Sequence, residues 1–138
     1  MEGSGRWRVV EHPGELVLEL EGATWDGLLG AAVRGFGEVA ARGVVVGEEG
    51  GERRVELGAT DRAALLVDLL NELVYLADAE RWLGVGVEAM EAGADWLEAR
   101  VRGRRLEAPA TFVKAATLHG ATVTEDGGTW RARVVLDI

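Results

Sequence analysis

The sequence has 138 residues, a net charge of −9 and 48% apolar side chains, enough for one domain with a hydrophobic core. It has no cysteine and a single serine, Ser4, which excludes disulfides and leaves almost no room for serine or cysteine nucleophiles. The excess of acid argues against direct binding of a nucleic acid backbone, which needs clustered basic side chains, and favours a basic protein or a cation as partner.

The first third predicts a β-hairpin followed by a helix. Apolar residues run through 6–10 and 16–20, on either side of Pro13-Gly14, which is a strong turn signal. Thr24 is a favourable N-cap, and the apolar spacing that follows it predicts a helix that ends near Gly43.

The middle of the chain predicts two short strands and a second helix. The strands are expected at 44–46 and 53–57, around a turn rich in glycine and glutamate. A leucine stripe then predicts a helix that opens at 58–61 and runs to about Trp82.

The last third is predicted to be mostly strand. Asp126-Gly127-Gly128 resembles a hairpin turn between the final two strands. Strands and two helices without regular alternation indicate an α+β fold, a mainly antiparallel sheet packed with two α-helices. The expected strands are 85–90, 96–101, 111–115, 118–123 and 130–136.

One domain is expected over 1–138, with residues 1–5 as a flexible tail, because no linker or composition shift divides the chain. No run of eighteen apolar residues and no signal-like N-terminus occur, so the expected location is the cytoplasm.

Two carboxylates stand out by position. Glu15 leaves the Pro13-Gly14 turn just before an apolar strand, and Asp137 follows another apolar run beside Ile138, which ends the sequence with a free carboxylate. Hard oxygens clustered in this way suit calcium or magnesium. A polar chain end exposed to water is the plainer interpretation of the same residues.

Three further residues are candidate functional neighbours. His12 and His119 lie in separate segments without a zinc motif, so each is either a structural histidine or a ligand or acid–base group. Lys114 is the only lysine among fifteen basic residues, and it offers a compact charge where a guanidinium is too bulky.

Four segments resemble the archease family, in family order and from residue 7 to the end. Residues 11–15, Glu-His-Pro-Gly-Glu, resemble the family's Glu-His-Thr-Ala-Asp segment, although glutamate replaces its aspartate. The others are the helix segment 65–76, the Val-Lys-Ala-Ala-Thr-Leu-His-Gly segment 113–120 and the Asp-Ile ending. In these, Leu69 stands where the family has tryptophan and Leu118 where it has tyrosine.

The resemblance implies an accessory factor, not an enzyme. Archeases assist an RtcB-type RNA ligase in tRNA splicing by promoting its guanylylation and multiple turnover. The resemblance also implies a divalent cation, calcium in the family, held by Glu15, Asp137 and the terminal carboxylate of Ile138. An acidic interaction or chaperone-like module unrelated to RNA ligation remains the alternative, and a metal-dependent enzyme using Glu15, Asp137 and His119 ranks third.

Overall fold

The computed structural model describes residues 5–138, which form seven strands and two helices. In chain order they are β1 (Gly5–His12), β2 (Glu15–Gly22), α1 (Trp25–Ala40), β3 (Val46–Gly58), α2 (Arg62–Ala79), β4 (Trp82–Ala92), β5 (Trp96–Leu106), β6 (Ala115–Asp126) and β7 (Thr129–Asp137). The predicted α+β class with antiparallel strands is confirmed, but the strands form two sheets. Neither helix is long and apolar enough to cross a membrane.

Helix α1 lies between the two sheets, and α2 packs against both of them with one face exposed. One sheet has the order β1-β2-β7-β6 and the other β3-β5-β4. Helix α1 contacts β1 and β2 on one side and β4 on the other, while α2 contacts β6 and β4. Because α1 lies between layers, only Asp26, Arg34 and Glu38 escape burial along it.

Glycines inside α1 allow this close packing. A Cβ at Gly37 would lie 2.8 Å from the carbonyl oxygen of Gly84 in β4, well inside van der Waals contact. Each glycine costs the helix roughly 1 kcal/mol relative to alanine. This cost is offset by the close packing of α1 against β4, which a larger residue would prevent.

The predicted helices are confirmed, with corrections at their ends. Thr24 caps α1 through a 2.9 Å hydrogen bond accepted from the Gly27 amide. The side chain of Asp61 caps α2, and this helix ends at Ala79 instead of reaching Trp82. Trp82 opens β4 because the chain reverses just before it, where Arg81 adopts a φ of 52°.

Two strand predictions were wrong. The predicted strand at 53–57 is confirmed as part of β3, but residues 47–52 are not a turn, because β3 already begins at Val46 and runs through them with register shifts against β5. Arg104 holds this irregular part by donating hydrogen bonds of 2.9 and 2.6 Å to the Gly47 carbonyl. The predicted strand at 111–115 is irregular backbone, and β6 begins at Ala115.

The turns of two hairpins, β1–β2 and β6–β7, lie at opposite ends of the four-stranded sheet. Gly127 and Gly128 adopt φ values of 61° and 85° between β6 and β7, as a type I′ hairpin turn requires. Gly14 follows Pro13 in the turn after β1 and adopts a φ of 80°, as the third position of a type II turn requires. Most of the predicted tail lies outside the described residues, but Gly5 is buried as the first residue of β1.

Candidate functional site

The carboxylates singled out in the sequence meet at one end of the four-stranded sheet. Glu15 in β2 is paired directly with Asp137 in β7, with His12 on one side of this pair and Ala115 on the other. We call the row formed by these four residues the carboxylate end. Directly opposed residues share a face, with Cβ atoms about 5 Å apart, so the two carboxylates are neighbours.

Strand alternation turns these carboxylates away from the core. Leu16 and Leu136 follow Glu15 and precede Asp137, they are paired with each other, and both are fully buried in the core. Because successive side chains point to opposite faces, Glu15 and Asp137 lie on the outer face of the sheet. The backbone amide of Lys114 donates a 2.7 Å hydrogen bond to the Asp137 carbonyl, which ties segment 111–114 to this end.

Asn71 on α2, which the sequence alone does not mark as a site residue, holds β6 beside the carboxylate end. Its Nδ2 donates to the Ala116 carbonyl at 3.0 Å, and its Oδ1 accepts from the Ala116 amide at 2.8 Å. Both backbone groups of Ala116 therefore point away from β7, as in the non-hydrogen-bonded pairs of an antiparallel ladder. Asn71, the only asparagine in the sequence, thus makes the two hydrogen bonds with Ala116 that a further strand would make at this edge of the sheet.

The three predicted neighbours are only partly brought together. His12 shares the row of Glu15, and Lys114 is adjacent through its backbone. The Lys114 side chain is exposed and has no ion-pair partner within residues 5–138. His119 lies in the irregular stretch of β6 between Thr117 and Thr122, four residues beyond Ala115, or about 13 Å of extended chain.

The oxygen ligands at the carboxylate end suit a hard cation, but only two side chains there supply carboxylates. Glu15 and Asp137 supply carboxylate oxygens, the ligands that calcium and magnesium prefer. No group of three or more histidine or acidic side chains able to hold a metal ion occurs within residues 5–138. The third ligand predicted from the family resemblance, the carboxylate of Ile138, is not a side-chain group.

Two other carboxyl groups have shifted pKa values. A hydrogen bond from Arg6, with help from Arg131, lowers the pKa of Glu21 on the outer face of the same sheet. Burial, together with the nearby charge of Glu91, raises the pKa of Asp26 in the first turn of α1. Neither group lies at the carboxylate end, so both shifts reflect local packing and ion pairing there.

The fold and the site define a small α+β protein with two sheets, two helices packed against them, and a carboxylate pair of which Glu15 is half-buried and Asp137 exposed. Residues 5–138 contain no serine or cysteine. Residues 7–138 match the model of the Archease protein family (MTH1598/TM1083), and the chain belongs to that family. The resemblance noted in the sequence is thereby confirmed.

Named relatives and solved structures agree with this assignment. The chain is 31% identical to the protein archease of Archaeoglobus fulgidus over 139 residues, covering 96% of this chain and 99% of that one. It is 28% identical to the protein archease of Methanosarcina mazei over 142 residues, covering 96% of each. The fold is similar to a Thermotoga maritima archease, described as a possible chaperone, with a TM-score of 0.64, 21% identity and coverage of 95% and 96%.

Proposed function

We propose that this protein activates an RtcB-type RNA ligase, promoting its guanylylation and multiple turnover in tRNA splicing or RNA repair. Membership of the archease family and the pairing of Glu15 with Asp137 support the proposal. The pairing carries most weight, because it joins two segments of the family resemblance from opposite ends of the chain.

The opposed carboxylates also support a cation at this end. Like charges directly opposite on neighbouring strands destabilise the pair by a few tenths of a kcal/mol or more. A divalent cation held by Glu15, Asp137 and the Ile138 carboxylate would remove that repulsion and supply positive charge for a partner's anionic groups. Exposed Lys114 and His12 are proposed to contact the ligase around it.

Replacing Asp137 by alanine should abolish activation while leaving the fold intact. The side chain is exposed, so its loss removes a charge without opening the core. The measurement is multiple-turnover ligation of a broken tRNA stem-loop with a cognate ligase, GTP and manganese. We expect the added rate to fall at least about tenfold, the scale seen when groups around a metal site are altered.

The matched control for this assay is Asp126→Ala, an exposed aspartate at the other end of the β6–β7 hairpin. It should stimulate ligation like the wild type. Full stimulation by Asp137→Ala would refute the role of the carboxylate end, and no stimulation by the wild-type protein would refute the proposed function itself.

Calcium should raise the melting temperature of the wild-type protein and have little effect on Asp137→Asn. Binding to the native state alone adds about 2.7 kcal/mol of stability at a hundred times the Kd, which is several degrees in Tm. A calcium titration followed by thermal unfolding measures the shift, with Asp68→Asn on exposed α2 surface as control. Equal shifts in wild type and Asp137→Asn would place the cation elsewhere.

A chaperone-like module is the second candidate, favoured by apolar side chains at the surface. Tyr75 on α2 is 55% exposed and Leu118 on β6 is 57% exposed, on two elements that pack together. This function predicts that the protein suppresses aggregation of unrelated unfolded clients and that Asp137→Ala does so equally well.

A further inference from the structure

Four arginines from two strands meet on the outer face of the four-stranded sheet. Strand pairing places Arg6 and Arg131 on either side of Glu21, and Arg8 and Arg133 on either side of Glu19. Thr124 and Thr122 of β6 extend the two rows at the edge. We call these two adjacent rows the arginine rows; they line a groove of about 590 Å³.

The arginine rows carry a local excess of positive charge on an acidic protein. Glu21 pairs with both Arg6 and Arg131, the latter at 3.1 Å, and Glu19 pairs with Arg8. Arg133 has no ion-pair partner within residues 5–138, and its side chain is exposed. Each guanidinium has five N–H donors, so the existing pairs leave donors free to meet an anionic ligand.

The distribution of charge across the groove indicates where an anion would lie. The glutamates belong to β2, whereas the β7 and β6 side of the groove presents Arg131, Arg133, Thr122 and Thr124. Carboxylates over that side would meet two guanidinium groups and two hydroxyl donors, with the glutamates one strand away, about 4.8 Å.

The geometry favours an extended peptide over a nucleic acid. Successive rows on a strand are two residues apart, about 6.6 Å, which is also the spacing of alternate side chains in an extended peptide. The aromatic rings of these strands do not provide a stacking platform in the rows, since Trp7 packs against Gly35 and Trp130 against Trp25 on the helix side. A net charge of −9 also repels a polyanion more than a short acidic segment.

We infer that the arginine rows bind an extended acidic segment of a protein partner, with its alternate carboxylates over Arg131 and Arg133. The rows share the outer face of the sheet with the carboxylate end, separated from it by Val10, Val17 and Val135. That this partner is the ligase rests on the proposed function; the docking surface itself does not.

The test uses a labelled decapeptide of alternating glutamate and threonine, titrated with the full-length protein and followed by fluorescence anisotropy at low salt. We expect saturable binding that weakens as salt is raised, because exposed charges are screened. The double variant Arg131→Gln, Arg133→Gln should bind at least tenfold more weakly. Arg133→Gln alone breaks no ion pair within residues 5–138 and should still weaken binding severalfold, so the result does not depend on the double variant folding well.

The matched control is Arg54→Gln, Arg100→Gln, which removes two exposed, ion-paired arginines from the other sheet. It should bind the peptide within about twofold of the wild type. Equal losses in control and test variants, no peptide binding by the wild type, or tighter binding of an oligouridylate of equal length would each overturn the inference. The peptide titration contains no ligase, so it tests the docking surface separately from the proposed function. If the protein binds the peptide but does not stimulate ligation, only the proposed function is contradicted.

Discussion

Replacing Asn71 by alanine is expected to lower the free energy of unfolding by about 2–5 kcal/mol. The change leaves both the amide and the carbonyl of Ala116, a residue 5% exposed, without their partners. Each buried backbone group left unsatisfied costs about 1–3 kcal/mol. Against a typical total of 5–15 kcal/mol this is a large loss, measurable as a lower midpoint of urea unfolding by circular dichroism.

The same variant should also weaken activation of the ligase, at a temperature where it remains folded. Without Asn71 the edge strand β6 loses its anchor to α2 just where Lys114 and Ala115 meet Asp137. Asp68→Ala, an exposed change on the same helix, is the control and should alter neither property. Equal unfolding midpoints for the two variants would show that water replaces the Asn71 amide at no cost.

Replacing Gly103 by alanine is expected to cost about 3–5 kcal/mol, the scale of losing a well-packed tryptophan. A Cβ at Gly103 would lie 2.1 Å from Cε2 of Trp82, whose ring is 3% exposed and covers this part of β5. The ring is held in place by a 2.9 Å hydrogen bond from its Nε1 to the Gly50 carbonyl and by the guanidinium of Arg53, 5.1 Å from its centroid. It therefore cannot move aside without losing those contacts, and thermal unfolding by circular dichroism measures the loss.

Gly58→Ala provides the matched comparison on β3 of the same sheet. The nearest atom to a Cβ there is the Asp95 carbonyl oxygen at 3.8 Å, an ordinary contact. This variant should change stability by less than about 1 kcal/mol, since alanine also restricts the unfolded chain. If the two glycine variants had the same melting temperature, the packing of Trp82 over Gly103 would not explain the loss of stability.

Sequence patterns predicted the elements whose signals are local. Turn residues at Pro13-Gly14 and Gly127-Gly128 and the cap at Thr24 were identified correctly because each depends on a few neighbouring residues. The sequence wrongly predicts a turn at 47–52, because the glycines and glutamates there show no alternation of apolar and polar residues. Its strand conformation comes from pairing with β5 and from Arg104, which are distant in sequence.

For the candidate sites, residue order and side-chain chemistry are enough to predict the family and the carboxylates at the strand ends. The folded sheet alone shows that β2 lies between β1 and β7, which opposes Glu15 to Asp137 and gathers arginines from both ends of the chain. It also explains the role of Asn71, because the unpaired edge of β6 exists only once the sheet has formed. Strand order depends on the packing of the whole core, and no local propensity encodes it.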